Sequence, residues 1–165
     1  MHILNDNKKP VKFKGEAIFI AISVGFFFVL IGVLLATTPN LFGNFLDFVT
    51  SFNLVDVPNT DLVLPGPVSP SNHIVLYQAV ELLSFALVAF QIVMIVLRFF
   101  ARSPAGKKAE AVGNLVFWLG TGFLIQNFLI ETTQWFVFWS LLIIIIGISM
   151  IARAMVIAAS RLQFS

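Results

Sequence analysis

Apolar residues run almost unbroken through four stretches of the chain, at about 17–38, 74–100, 112–130 and 135–160. Between them, polar residues, prolines and charges return. A helix needs about 20 residues to cross a hydrocarbon core about 30 Å thick, and each stretch meets or nearly meets that length. The runs are continuous, so they lack the inside–outside alternation of barrel strands. In lipid, only a helix then satisfies its backbone within its own segment. The pattern predicts an all-α integral membrane protein. Its fold is a four-transmembrane-helix antiparallel bundle, with helices over 17–38, 74–100, 104–130 and 135–160, and residues 1–165 form one membrane domain.

The third helix is expected to begin before its apolar run, with Ser103 as N-cap and Pro104 as first helical residue. Lys107 and Lys108 then sit on a cytoplasmic extension. Lysine near a helix start opposes the helix dipole, so these two serve orientation or an anionic lipid partner. Only residues 131–134 join the last two helices, which makes them antiparallel neighbours. The segment 39–72 is the one large piece outside the spans. Leu41, Phe42, Phe45, Leu46, Val49 and Phe52 recur there at helical spacing, with Asn44, Asp47 and Ser51 between them. That pattern predicts an interfacial helix over 41–54. Two short β-prone runs around Pro58, Asn59 and Thr60 fit a small hairpin over 53–65. Pro65, Pro67 and Pro70 then lead back in stiff, extended chain.

Composition agrees with lipid as the solvent. The chain is 59% hydrophobic and 11% charged, whereas a soluble domain is about 45–50% apolar and about 25% charged. A water-soluble globule, a disordered chain and a nucleic-acid module are excluded by these numbers. The absence of cysteine removes disulfides, thiolate metal sites and cysteine-held iron–sulfur clusters.

Charge sets the orientation. Lys8, Lys9, Lys12 and Lys14 precede the first span; Arg98, Arg102, Lys107 and Lys108 surround the turn after the second; Arg153 and Arg161 end the fourth. With four spans all ten fall on one side. The other side, 39–72 and 131–134, has no Lys or Arg and carries Asp47, Asp56, Asp61 and Glu131. By the positive-inside rule both termini are cytoplasmic and 39–72 is extracytoplasmic, in a multi-pass protein of the cell membrane. The first run is longer than a signal-peptide core and lacks a small-x-small cleavage site, so an uncleaved anchor is expected.

Small residues recur seven apart: Gly25 and Gly32, Gly113 and Gly120, then Ser140, Gly147 and Ala154. Such series let membrane helices approach closely. Trp135 and Trp139 read as an outer aromatic belt.

Candidate chemistry concentrates on the second span. His73, Tyr77, Glu81, Ser84 and Gln91 share one helical face, and Gln78 flanks it. Glu81 lies about 15 Å below the outer surface at 1.5 Å per residue, too deep to snorkel. An intramembrane acid marks a functional site whose partner must be named. The partners expected within the chain are Tyr77, Gln78, Gln126 and Asn127. The plain reading is a neutral Glu81 donating a hydrogen bond as interhelical glue. His73 and Glu131 form a candidate outer-mouth site, although their spacing matches no metal-ligand motif and a half-solvated histidine is the simpler account. The oxygens of Asp56, Asn59, Thr60 and Asp61 are ordinary turn formers. Arg153 is expected to snorkel inward or to meet Glu110. No phosphate loop, nucleophile elbow or dinucleotide fingerprint occurs, so neither catalysis nor a cofactor is expected.

The function expected from this pattern is a non-catalytic accessory or structural subunit of a larger membrane complex, or a self-associating scaffold. One alternative is an oligomeric transporter or channel using Glu81 as a proton or cation site. It meets an obstacle at 92–97, which carry no polar residue. Another is a membrane enzyme, or a quinone- or lipid-binding protein, with an outer-leaflet site made by Tyr77, Gln78, Glu81 and Gln126.

Overall fold

A computed structural model describes residues 13–162. His2, Lys8, Lys9 and Lys12 lie outside the described residues, as does the side chain of Lys14. The fold is mostly helical, with four helices long and apolar enough to cross a membrane and one small sheet. In order, the elements are α1 (Phe13–Thr37), α2 (Leu41–Thr50), β1 (Phe52–Asp56), β2 (Val63–Pro67), a 3₁₀ turn (Pro70–His73), α3 (Ile74–Phe100), α4 (Ala105–Leu124), a π-helical turn (Ile125–Glu131) and α5 (Trp135–Leu162).

Pro39 pushes Thr38 out of helical geometry, and α1 ends there. The second helix is shorter than expected, because the chain turns at Ser51 and pairs as a ribbon from Phe52 onward. The two strands are antiparallel, in register from Phe52 opposite Pro67 to Asp56 opposite Val63. The hairpin therefore runs past Pro65, where the spacing predicts it to end. A two-stranded ribbon has a free edge on each strand, and proline is tolerated there because its missing N–H costs no ladder bond. At the tip Asn59 takes a φ of 61°, a left-handed conformation that asparagine accepts more readily than most residues.

The turn between α3 and α4 differs from the expected cap. Ser103 makes no side-chain cap bond; Pro104 occupies the cap position and its carbonyl accepts from Lys107 and Lys108. The Ser103 N–H instead closes back on the Arg98 carbonyl and the Arg102 N–H on that of Phe99. This is a Schellman closure of α3, with Arg102 at φ 48° where glycine is usual.

Packing centres on α4, which lies against both α3 and α5, while α1 rests on α3 and α2. Only one of the three small-residue series serves contact within the chain. A Cβ on Gly113 would meet the Arg153 stem and the Ser149 carbonyl, and one on Gly120 would meet Ile145 at 2.7 Å. Gly25, Gly32 and Gly147 face open space. The inward face of α5 is built from Trp135, Phe138 and Ser149, so the Ser140–Gly147–Ala154 series points outward.

The buried cluster sits at the hairpin end of the molecule: Tyr77, Leu124, Ile125, Leu129, Trp135 and Phe138. Trp135 is thus a core residue and not part of an exposed belt. A Cβ on Gly66 would stand 3.2 Å from its ring, and the bare glycine lets the hairpin close over it. Trp139, four residues on, is 46% exposed.

Candidate functional site

The polar face of α3 is not one surface. His73, Tyr77 and Ser84 are buried, Glu81 and Gln91 half-buried, and Gln78 exposed. His73 Nε2 lies 3.0 Å from the Ser51 hydroxyl, and the Phe48 ring meets the imidazole edge-on at 5.2 Å. The histidine ties α2 and the hairpin to α3. Glu131 is exposed and accepts a hydrogen bond from Gln126 Nε2 at 3.1 Å. His73 and Glu131 therefore bond to different partners. No cluster of three or more metal-ligating side chains occurs among the described residues.

The π turn explains where the expected partners of Glu81 go. A π turn bonds backbone groups five residues apart and winds more slowly than an α-helix, which brings Gln126 within reach of Glu131; in an α-helix these two would point apart. Asn127 Nδ2 donates back to the Phe123 carbonyl, and the Thr132 hydroxyl donates to the Asn127 carbonyl. The Tyr77 hydroxyl is buried without a partner, and no ion pair among the described residues includes Glu81. Neither amide on the π turn is directed at the Glu81 carboxyl. Tyr77, Gln78, Glu81, Gln126 and Asn127 thus lie at the same end of the fold without forming one bonded cluster.

Two cavities flank this face. One, about 230 Å³, lies at the hairpin end, the expected outer side, between α2, α3, α5 and the end of α4, with Tyr77 and Thr121 in its lining. Thr121 was not singled out by the sequence pattern, because a lone threonine in an apolar helix carries no signal. The other, the inner cavity on the expected cytoplasmic side, also about 230 Å³, gathers Ser23 from α1, Gln91 and Arg98 from α3, and Lys107, Glu110 and Asn114 from α4. Single-helix periodicity misses it because three helices build it. There Arg98 Nη1 donates to the Lys107 carbonyl at 2.9 Å, Arg98 Nε is buried without a partner, and the guanidinium lies 5.6 Å from the Phe19 ring centroid. Glu110 pairs with Lys107 at 3.1 Å, not with Arg153, whose stem crosses Gly113 instead. Lys108 places its amine 4.5 Å from the Phe99 ring centroid.

In the hairpin turn Thr60 donates from its hydroxyl to the Val57 carbonyl and accepts from the Leu62 N–H. That is turn chemistry, in line with the plain reading of Asp56, Asn59, Thr60 and Asp61.

Comparison with protein-family models, curated proteins and solved structures finds no match for this chain.

Proposed function

We propose that this is a multi-pass protein of the cell membrane that works as a non-catalytic subunit of a larger membrane assembly. Its four long helices form an antiparallel bundle with both termini cytoplasmic, and the hairpin segment faces outward. The observation that carries the reading is Glu81. The residue is half-buried, inside a helix long and apolar enough to cross a membrane, and no ion pair among the described residues includes it. A charged residue at the centre of such a helix costs about 3 kcal/mol. Of the side chains expected to meet it, Gln126 and Asn127 bond elsewhere and the Tyr77 hydroxyl does not reach it, so a partner outside this fold accounts for its presence.

The loose seating of α1 supports the same reading. It rests on α3 and α2, and a Cβ on Gly25 or Gly32 would meet nothing within 4 Å among the described residues. Phospholipid headgroups of negative charge are a further partner at Lys107 and Lys108. The transporter alternative is disfavoured by Ser84, which is fully covered and donates to the Val80 carbonyl, between Glu81 and Gln91.

The test is the intact mass after gentle extraction from the native membrane. Wild type is expected well above the 18.3 kDa of one chain. Glu81→Gln keeps a hydrogen-bonding group and should hold the assembly together. Glu81→Leu should release the single chain while its helical content stays unchanged. Wild type at the mass of one chain, or Glu81→Leu at full assembly mass, would overturn the proposal.

A further inference from the structure

Every serine and threonine in the described α-helices returns its hydroxyl to a backbone carbonyl three or four residues earlier, with one exception. Ser23, Thr37, Thr50, Ser84 and Ser140 bond four residues back. Ser149 and Ser160 bond three back. Thr121 makes no such bond, and its hydroxyl is buried without any partner among the described residues. The Tyr77 hydroxyl, on the neighbouring helix, is in the same condition. Both residues are more than nine-tenths buried, at 3% and 7% exposure, and both line the outer cavity.

An O–H left unmade in apolar surroundings is costly, and two on one cavity wall are seldom left so. The rest of the wall is apolar, with four aromatic rings set among Leu76, Val80, Ile125, Leu129 and Leu142. Phe48 and Trp139 each meet Trp135 edge to face, at 5.7 Å and 5.5 Å, and Phe138 stacks on Trp135 at 6.5 Å. An engineered apolar cavity of about 150 Å³ holds benzene. The 230 Å³ here gives room for one ring with substituents. Such a site takes an apolar body, and its two hydroxyls, once turned out, supply two donors but no charge.

We infer that the outer cavity binds a lipid-soluble ring compound carrying a carbonyl acceptor, of the quinone class, with the Tyr77 and Thr121 hydroxyls as donors. Both oxygens are covered by their neighbours in this state. Thr121 meets the carbonyl by turning about χ1, a rotation that breaks no hydrogen bond of its own. The π turn begins four residues after Thr121, and such turns occur frequently at functional sites. The inference does not depend on the subunit reading, because the cavity lies within one chain.

The probe is decylubiquinone, titrated onto the purified full chain in phosphatidylcholine nanodiscs and followed by tryptophan fluorescence. Two of the three tryptophans line the cavity. Saturable quenching is expected, with affinity about tenfold weaker in Tyr77→Phe and in Thr121→Val, the loss of about one hydrogen bond each. Gly147→Ala, which faces open space, should match wild type. Without quinone, both isosteric variants should unfold no earlier than wild type, since each removes an unbonded hydroxyl. Quenching that never saturates, or that is equal in all variants, would overturn the inference and show bilayer partitioning alone. Co-purified phospholipid that decylubiquinone fails to displace would overturn it in favour of an ester carbonyl. Early unfolding of both variants without quinone would overturn it in favour of a bound water.

Discussion

Gly120 shows how much one missing side chain sets in this protein. A Cβ there would stand 2.7 Å from Ile145 Cδ1 and 2.8 Å from Cγ2, and the branched neighbour has little freedom to withdraw. Gly120→Val is therefore expected to cost about 1–3 kcal/mol through overpacking between α4 and α5. Gly147→Ala meets nothing and should leave stability unchanged or slightly raised. Thermal unfolding of the two variants in the same detergent checks the pair; equal losses would contradict the packing described. The heptad spacing alone does not separate these glycines, because it marks small residues without saying which way each face points. Glu81 was legible for a different reason: a carboxyl in an apolar run stands out against the cost of placing it there. The fate of Gln126 was hidden, since nothing in its spacing announces a π turn.

Among the elements, the long helices were readable because continuous apolar runs of span length leave few alternatives in lipid. The hairpin was readable in part: its turn residues are diagnostic, but its end is set by pairing that two prolines on free edges do not prevent. The start of α4 shows the competition between local signals. Ser103 has the chemistry of an N-cap, yet its N–H is taken by the closure of α3, and Pro104 becomes the cap. That closure holds Arg102 at φ 48°, a conformation that disfavours a residue with a Cβ. Arg102→Gly is expected to stabilise the protein by about 1 kcal/mol, seen as a raised unfolding midpoint. A lowered midpoint would mean that the guanidinium makes a stabilising contact. The outer and inner cavities were illegible for one shared reason: each is assembled from three or more elements, and periodicity describes one helix at a time.

At the scale of the whole molecule, everything proposed depends on how the chain lies in the membrane. The proposed outer placement of the hairpin and of the Tyr77–Thr121 cavity rests on four candidate spans, which would put all ten Lys and Arg on one side. The most direct measurement uses the absence of native cysteine, which makes any introduced thiol unique. Ser69 is exposed between β2 and the 3₁₀ turn, and Ser103 lies in the turn between α3 and α4. With a membrane-impermeant maleimide on intact cells, Ser69→Cys should label at once. Ser103→Cys should label only after permeabilisation. The reverse pattern, or labelling of both in intact cells, would contradict the account.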